Sequence, residues 1–182
     1  MKPVIIFRKL LLASFLVLPG FICSGVENNF AEIIRKTDPL TPAQEQRTFH
    51  LPPGFEIQLV ASEPEISKPM NMAFDAKGRL WITQSREYPF PVLPVEKEGR
   101  DKIQILENFD ARGKAQKIHA FAEGLNIPIG LYPYKDGVLG FSIPNIYHFR
   151  DTDGDGRSDK KELFLGRFGF EKDTHGLTSH FT

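Results

Sequence analysis

The chain repeats itself, and that limits its fold more than any other feature. "PMNMAFDAKGRLWIT" (Pro69 to Thr83) lies over "PIGLYPYKDGVLGFS" (Pro128 to Ser142) without a gap. "IQILENFDARGKAQKIHAF" from Ile103 lies over "IYHFRDTDGDGRSDKKELF" from Ile146, placing Gly113 opposite Gly156. In the first pair each copy reads as strand, a turn ending in Gly78 or Gly137, and strand again. One unit is therefore an inner hairpin followed by an outer hairpin, four strands in all. "HGLTSHFT" at the end resembles "IGLYPY" and predicts the next inner strand. Repeated four-stranded units of about 40 to 60 residues point to an all-β protein of the β-propeller type, with about two blades and the start of a third in this chain. The competing reading is two unrelated hairpins that share a Gly turn. Trp81 and Phe74 fall on hairpin strands and are expected in the core.

Composition agrees with short strands. Sixteen Phe, fourteen Pro and fifteen Gly among 182 residues favour strands joined by tight turns over long helices. With 23 basic and 23 acidic side chains there is no electrostatic footprint for nucleic acid. A single cysteine, Cys23, excludes an internal disulfide. No Gly-rich phosphate cradle, Ser-His-Asp arrangement or His-Glu-x-x-His metal motif is present.

Residues 1–25 read as a signal peptide. Lys2, Arg8 and Lys9 precede the apolar "LLLASFLVLPGFI", and Ser24 and Gly25 offer a cleavage point. Export to a periplasmic or extracellular space is expected, and an uncleaved leader would instead leave the protein membrane-associated. Phe21 and Ile22 are bulky where lipidation of Cys23 would need small residues. Residues 26–50 read as a linker with a short helix, in which Thr41 caps, Pro42 suits the first turn and Gln44 completes a capping box. The propeller segment is expected over 51–182. Its opening "PPGFEIQLVASEP" places Phe55, Ile57 and Leu59 on one face of a strand.

"DTDGDGRSDKKE", Asp151 to Glu162, fits the twelve-residue calcium loop of an EF-hand, with Asp151, Asp153 and Asp155 at positions one, three and five, Gly156 at six and Glu162 at twelve. An EF-hand needs flanking helices, whereas the repeat places this loop between two outer strands. Ser158 also stands where an EF-hand carries a core aliphatic residue. The expected ligands of one calcium ion are the side chains of Asp151, Asp153, Asp155 and Glu162 with the Arg157 carbonyl, and Asp159 directly or through water. Without a cation, close carboxylate pairs repel by about 1 kcal/mol each in water. The bland alternative is a solvated Asp-Gly turn. The sister loop "NFDARGKAQKIH" keeps only Asp110 and Gly113 and is expected to bind nothing.

"LPPGFEIQLVASEPEISKPMNMAFDAKGRLWITQS", "FAEGLNIPIGL", "FRDTDGDGRSDKKELF" and "DTHGLTSHFT" together resemble the N-terminal propeller of membrane-bound dehydrogenase-like proteins of planctomycetes and verrucomicrobia, themselves similar to soluble quinoprotein glucose and sorbosone dehydrogenases. The resemblance covers roughly residues 41–182. It implies a six-bladed propeller, export, and oxidation of a sugar or alcohol with pyrroloquinoline quinone. It also implies that a longer form holds the rest of the propeller and a C-terminal cytochrome c domain. The present chain has no Cys-x-x-Cys-His for haem. By the same resemblance His175 in "DTHGL" is the candidate base for the substrate hydroxyl, and Arg86 in "TQSREYPF" the candidate partner of a quinone carboxylate. A His bonded to a neighbouring blade and an Arg packed among aromatics are the structural alternatives. His180 and Asp173 are lesser candidates. The alternative function is a non-catalytic propeller that binds glycans or partner proteins.

Overall fold

The computed structural model describes residues 37–175 and 181. The chain divides into two compact units at Pro39/Leu40, and the account below concerns Leu40 onward. The expected signal peptide, Cys23, His180 and most of "HGLTSHFT" lie outside the described residues. Among the described residues no helix is long and apolar enough to cross a membrane.

Thr41 opens α1 (Pro42–Gln46) as expected: its hydroxyl accepts from the Gln44 N–H, and the Gln44 side chain returns to the Thr41 backbone. Among the described residues eight strands follow: β1 (Pro69–Phe74), β2 (Leu80–Gln84), β3 (Asp101–Phe109), β4 (Ala115–Leu125), β5 (Leu131–Tyr134), β6 (Gly137–Ser142), β7 (Asn145–Arg150) and β8 (Lys160–Leu165). They form two antiparallel four-stranded sheets, β1-β2-β3-β4 and β5-β6-β7-β8, each in sequence order. The fold is all-β. In such an order the β1–β2 and β3–β4 turns share one rim of the first sheet, and the corresponding turns of the second sheet share one rim of that sheet. The loop 85–100 and the crossover 126–130 occupy the opposite rim.

Turn chemistry sets the hairpins. Asp75-Ala76-Lys77-Gly78-Arg79 and Asp110-Ala111-Arg112-Gly113-Lys114 close in the same way. In each, the Asp carboxylate accepts from the second and fourth residues after it, while the Gly N–H returns to the Asp carbonyl.

The outer hairpins repeat residue for residue. Ile105 opposite His119 corresponds to His148 opposite Glu162, and both hairpins carry an irregularity at the same place, after Ile103 and after Ile146. The inner hairpins differ by one residue. Phe74 pairs with Leu80 across five residues, whereas Pro133 pairs with Val138 across a turn one residue shorter. The gapless alignment of Trp81 with Gly140 is therefore corrected: Trp81 corresponds to Leu139. A slip of one residue moves a side chain to the other face of its sheet. Gly137 is paired within β6, where an added Cβ would lie 1.9 Å from the Phe149 carbonyl oxygen. Close backbone approach is its role.

Trp81, Ile103, Ile105 and Phe121 of the first sheet meet Leu131, Val138 and Phe149 of the second. The Trp81 and Phe121 rings pack edge to face at 4.7 Å, and the Trp81 indole N–H donates to Asp75 at 2.9 Å. The back of the first sheet, with Leu80, Ile82 and Leu106, receives Val60, Ala61 and Ile66. Phe55, Ile57 and Leu59 form no strand, contrary to the alternation. Their segment leads into a stretch that crosses this back face, tied by the Ala115 N–H to the Val60 carbonyl, and does not extend the sheet edge. Phe74, expected in the core, is 64 % exposed. It lies on edge strand β1, where alternation turns Ala73 toward the second sheet and Phe74 away from it.

Candidate metal centre and functional site

The acidic loop joins β7 to β8, so its flanks are strands. Asx-type bonds pre-shape it. Asp151 accepts from the N–H groups of Gly154 (2.7 Å) and Gly156 (3.0 Å), Asp153 from Asp155 (3.2 Å), and Asp155 from Arg157 (2.7 Å). The far end closes when Asp159 accepts from the Thr152 N–H and hydroxyl.

Three of the expected carboxylates converge. Asp151, Asp153 and Asp159 offer oxygens within 4.8 Å of one another. Oxygens on opposite sides of a calcium ion are about 4.8 Å apart, twice a bond of roughly 2.4 Å, so the donor set and its span fit a hard cation. Two expected ligands stand aside. The Asp155 carboxylate accepts from the Arg157 N–H and lies outside the trio. Glu162 sits on β8 opposite His148, and the Lys160 ammonium, with Arg150 behind it, holds its carboxyl below the usual range. Asp159, expected as a direct or water-mediated ligand, is a member of the trio.

The loop also docks on the first sheet. Ser158 donates its N–H to the Phe121 carbonyl at 2.7 Å, and His119 Nε2 lies 3.1 Å from the Gly156 carbonyl. The backbone at Gly156 has φ +88°, and a Cβ there would crowd His119 at 3.2 Å. Burial, with Lys117 nearby, pushes the His119 imidazole down, which favours a neutral ring donating its Nε2–H to that carbonyl. The Ser158 backbone N–H, at the position that departs from the EF-hand pattern, is thus one tether between the sheets.

The two residues implicated by resemblance lie on the other rim. Arg86 is exposed and lines a cavity of about 140 Å³ with Gln84, Arg100 and Lys102, and His175 is not part of it. His175 is exposed, bonded through Nδ1 to Asp173 at 2.7 Å, with its ring edge-on to Tyr88 at 5.6 Å. The His175 N–H and ring together hold the Asp173 carboxyl below its usual value. Small-molecule sites usually need at least about 300 Å³. Among the described residues Arg86 and His175 do not line a common cavity.

The residue that organises this rim is Asp101, which residue pattern did not single out. Its fully buried carboxylate accepts from the Ser85 hydroxyl (3.1 Å) and from the N–H groups of Arg86 (2.6 Å), Glu87 (3.2 Å) and Ile127 (3.0 Å). Burial pushes the carboxyl up, against the pull of these donors. The partners are far away in sequence, so only an acid opening an apolar strand could have signalled it.

Fold and loop together define a class: an all-β protein of repeated four-stranded antiparallel sheets with an acidic hairpin loop at the sheet junction. Residues 41–182 match the family described as a domain of unknown function, DUF7133, and the chain belongs to that family. No curated protein and no solved structure matches it.

Proposed function

We propose that the chain is a calcium-pinned segment of an exported, six-bladed β-propeller of quinoprotein-dehydrogenase-like type. The observation that carries the calcium assignment is the convergence of Asp151, Asp153 and Asp159 in a loop already bonded to the neighbouring sheet. The ion would cancel repulsion among the three carboxylates and hold the outer hairpin in its docked position. The matched outer hairpins support the propeller type. Sugar or alcohol oxidation with pyrroloquinoline quinone rests on the family resemblance of Arg86 and His175, and no catalytic step is assigned to the described residues. A second reading, a non-catalytic propeller that binds glycans or partner proteins, is supported by the small Arg86 cavity.

Melting of the chain under calcium titration, followed by calorimetric titration with the quinone, separates these points. A cation that binds only the folded state adds about 2.7 kcal/mol at a hundred times its dissociation constant, or about 8 °C in melting temperature for a chain of this size. Asp153→Ala should abolish the shift, and magnesium should replace calcium poorly. Equal melting temperatures with calcium and with chelator would show a plain acidic turn. Absence of quinone binding to a calcium-loaded longer form that holds the whole propeller would favour the binding module.

A further inference from the structure

Two short stretches, Gln84-Ser85-Arg86 and Arg100-Asp101-Lys102, run antiparallel at the rim that carries the loop 85–100, with Gln84 opposite Lys102. Alternation, carried past the strand ends, sorts their side chains. Ser85 and Asp101 turn to one face, where the Ser85 hydroxyl donates to the buried Asp101 carboxylate. Gln84, Arg86, Arg100 and Lys102 turn to the other, and there they line the cavity of about 140 Å³. Pro64, Glu65 and Ser67 close it from the same chain, so the cavity needs no uncovered sheet face. Donors in it exceed acceptors. Gln84 is 3 % exposed, its Oε1 accepts from the Ser67 N–H at 3.0 Å, and its Nε2 has no acceptor among the described residues. A buried donor left in this way marks a place where an acceptor belongs. Glu87 holds the Arg100 guanidinium at 2.8 and 3.2 Å, and Glu123, on the cavity edge, faces Arg157 at 3.9 Å. Arg86 and Lys102 have no ion-pair partner among the described residues, and Glu65 is the remaining carboxylate on the border.

We propose that this cavity binds one tetrahedral oxyanion group, phosphate or sulfate, with the Arg86 guanidinium and the Lys102 ammonium supplying charge and the Gln84 amide a neutral donor. Volume sets the size of the guest. At roughly 30 Å³ per water the cavity spans about four or five waters, enough for one such group and too little for a whole cofactor. The backbone that presents Arg86 is fixed beforehand, since its N–H donates to Asp101 at 2.6 Å. The group is either free in solution or carried as an ester at the end of a larger ligand, and the recognition chemistry is shared. This inference rests on the strand alternation and the unpaired donor, and is independent of the calcium and dehydrogenase readings.

Calorimetric titration with sodium sulfate and with sodium phosphate in calcium-free buffer tests it, and proton–nitrogen NMR reads the site. The wild-type chain should bind either anion one to one, and the Gln84 Nε2 and Arg86 Nε resonances should shift and saturate together. Arg86→Gln and Lys102→Gln should each weaken binding about tenfold, the loss of one charge-assisted bond. Gln84→Glu keeps the acceptor for the Ser67 N–H and puts a carboxylate oxygen where the amide donor stood, so it should abolish binding. Lys77→Gln, on the opposite rim, should bind like the wild type. Circular dichroism checks folding, and the two surface variants at 86 and 102 decide the question if Gln84→Glu fails that check. Phenyl phosphate and phenyl sulfate separate the sources: binding as tight as the free anion assigns a group carried on a larger ligand, and exclusion assigns the free ion. No saturable shift at Gln84 and Arg86, an equal loss in Lys77→Gln, or undiminished binding by Arg86→Gln would each overturn the inference.

Discussion

Replacing Asp101 tests whether one buried carboxylate holds the loop rim together. Asp101→Ala removes the acceptor for four donors. Arg86 is exposed and Glu87 half-buried, so their N–H groups can turn to water. Ser85 and Ile127 are sealed at 0 % exposure, and each is left with a dry polar group. At about 1 to 3 kcal/mol per unsatisfied group, the Ala variant should lose about 3 kcal/mol, or about 9 °C in melting temperature. Asp101→Asn keeps one oxygen for the Arg86 and Glu87 N–H groups. Its amide N–H₂ then faces the Ile127 donor, while the Ser85 hydroxyl can rotate to accept, so about half the loss is expected. Ionising Asp101 costs the folded state more than the unfolded one, because burial raises its carboxyl above the ordinary 3.8. Its contribution is therefore largest below that value, and the advantage of wild type over Asp101→Asn should shrink as pH climbs through the raised pKa. Urea unfolding of the three chains across pH measures all of this, and hydrogen exchange at residues 85–87 and 127 localises it. A loss below 0.5 kcal/mol for Ala, taken as roughly the scatter of neutral surface changes, would refute the reasoning, as would Asn falling below Ala.

Gly137→Ala should destabilise the chain by about 1 to 3 kcal/mol or more in chemical denaturation, because the new methyl group would press on the Phe149 carbonyl oxygen at 1.9 Å and one strand must move; wild-type stability would show that the approach is looser than described. The Glu171 carboxyl, held down to about 2 by the Phe170 N–H, its own N–H and Arg167, should titrate near that value by NMR. Any stability it adds is present above 4.5 and is lost as pH falls toward 2. In Arg167→Ala the midpoint should rise yet stay below 4.5, since the backbone donors remain, and a wild-type midpoint at 4.5 would deny the bonds.

What the sequence determined by itself was local or periodic. The capping box at Thr41 and the Asp-x-x-Gly turns act within five residues, so composition at those positions is enough to specify them. The matched outer hairpins were legible because side-chain alternation and turn length both survive in the repeat. The convergence of Asp151, Asp153 and Asp159 was legible for the same reason, since the three lie close along the chain. Tertiary structure decided the rest. A turn one residue shorter in the second inner hairpin changed which residue answers Trp81, a difference that alternation alone cannot detect, since both choices continue a strand. Phe74 turned outward because β1 is an edge, which depends on what covers it and not on its own apolarity. Glu162 met Arg150, as well as Lys160 on its own strand, because strand pairing fixed β8 beside β7. Asp101 became the centre of one rim only when packing brought Ser85, Arg86, Glu87 and Ile127 around it, because desolvation and hydrogen bonding between distant segments are set by the folded arrangement and leave no mark on the local pattern.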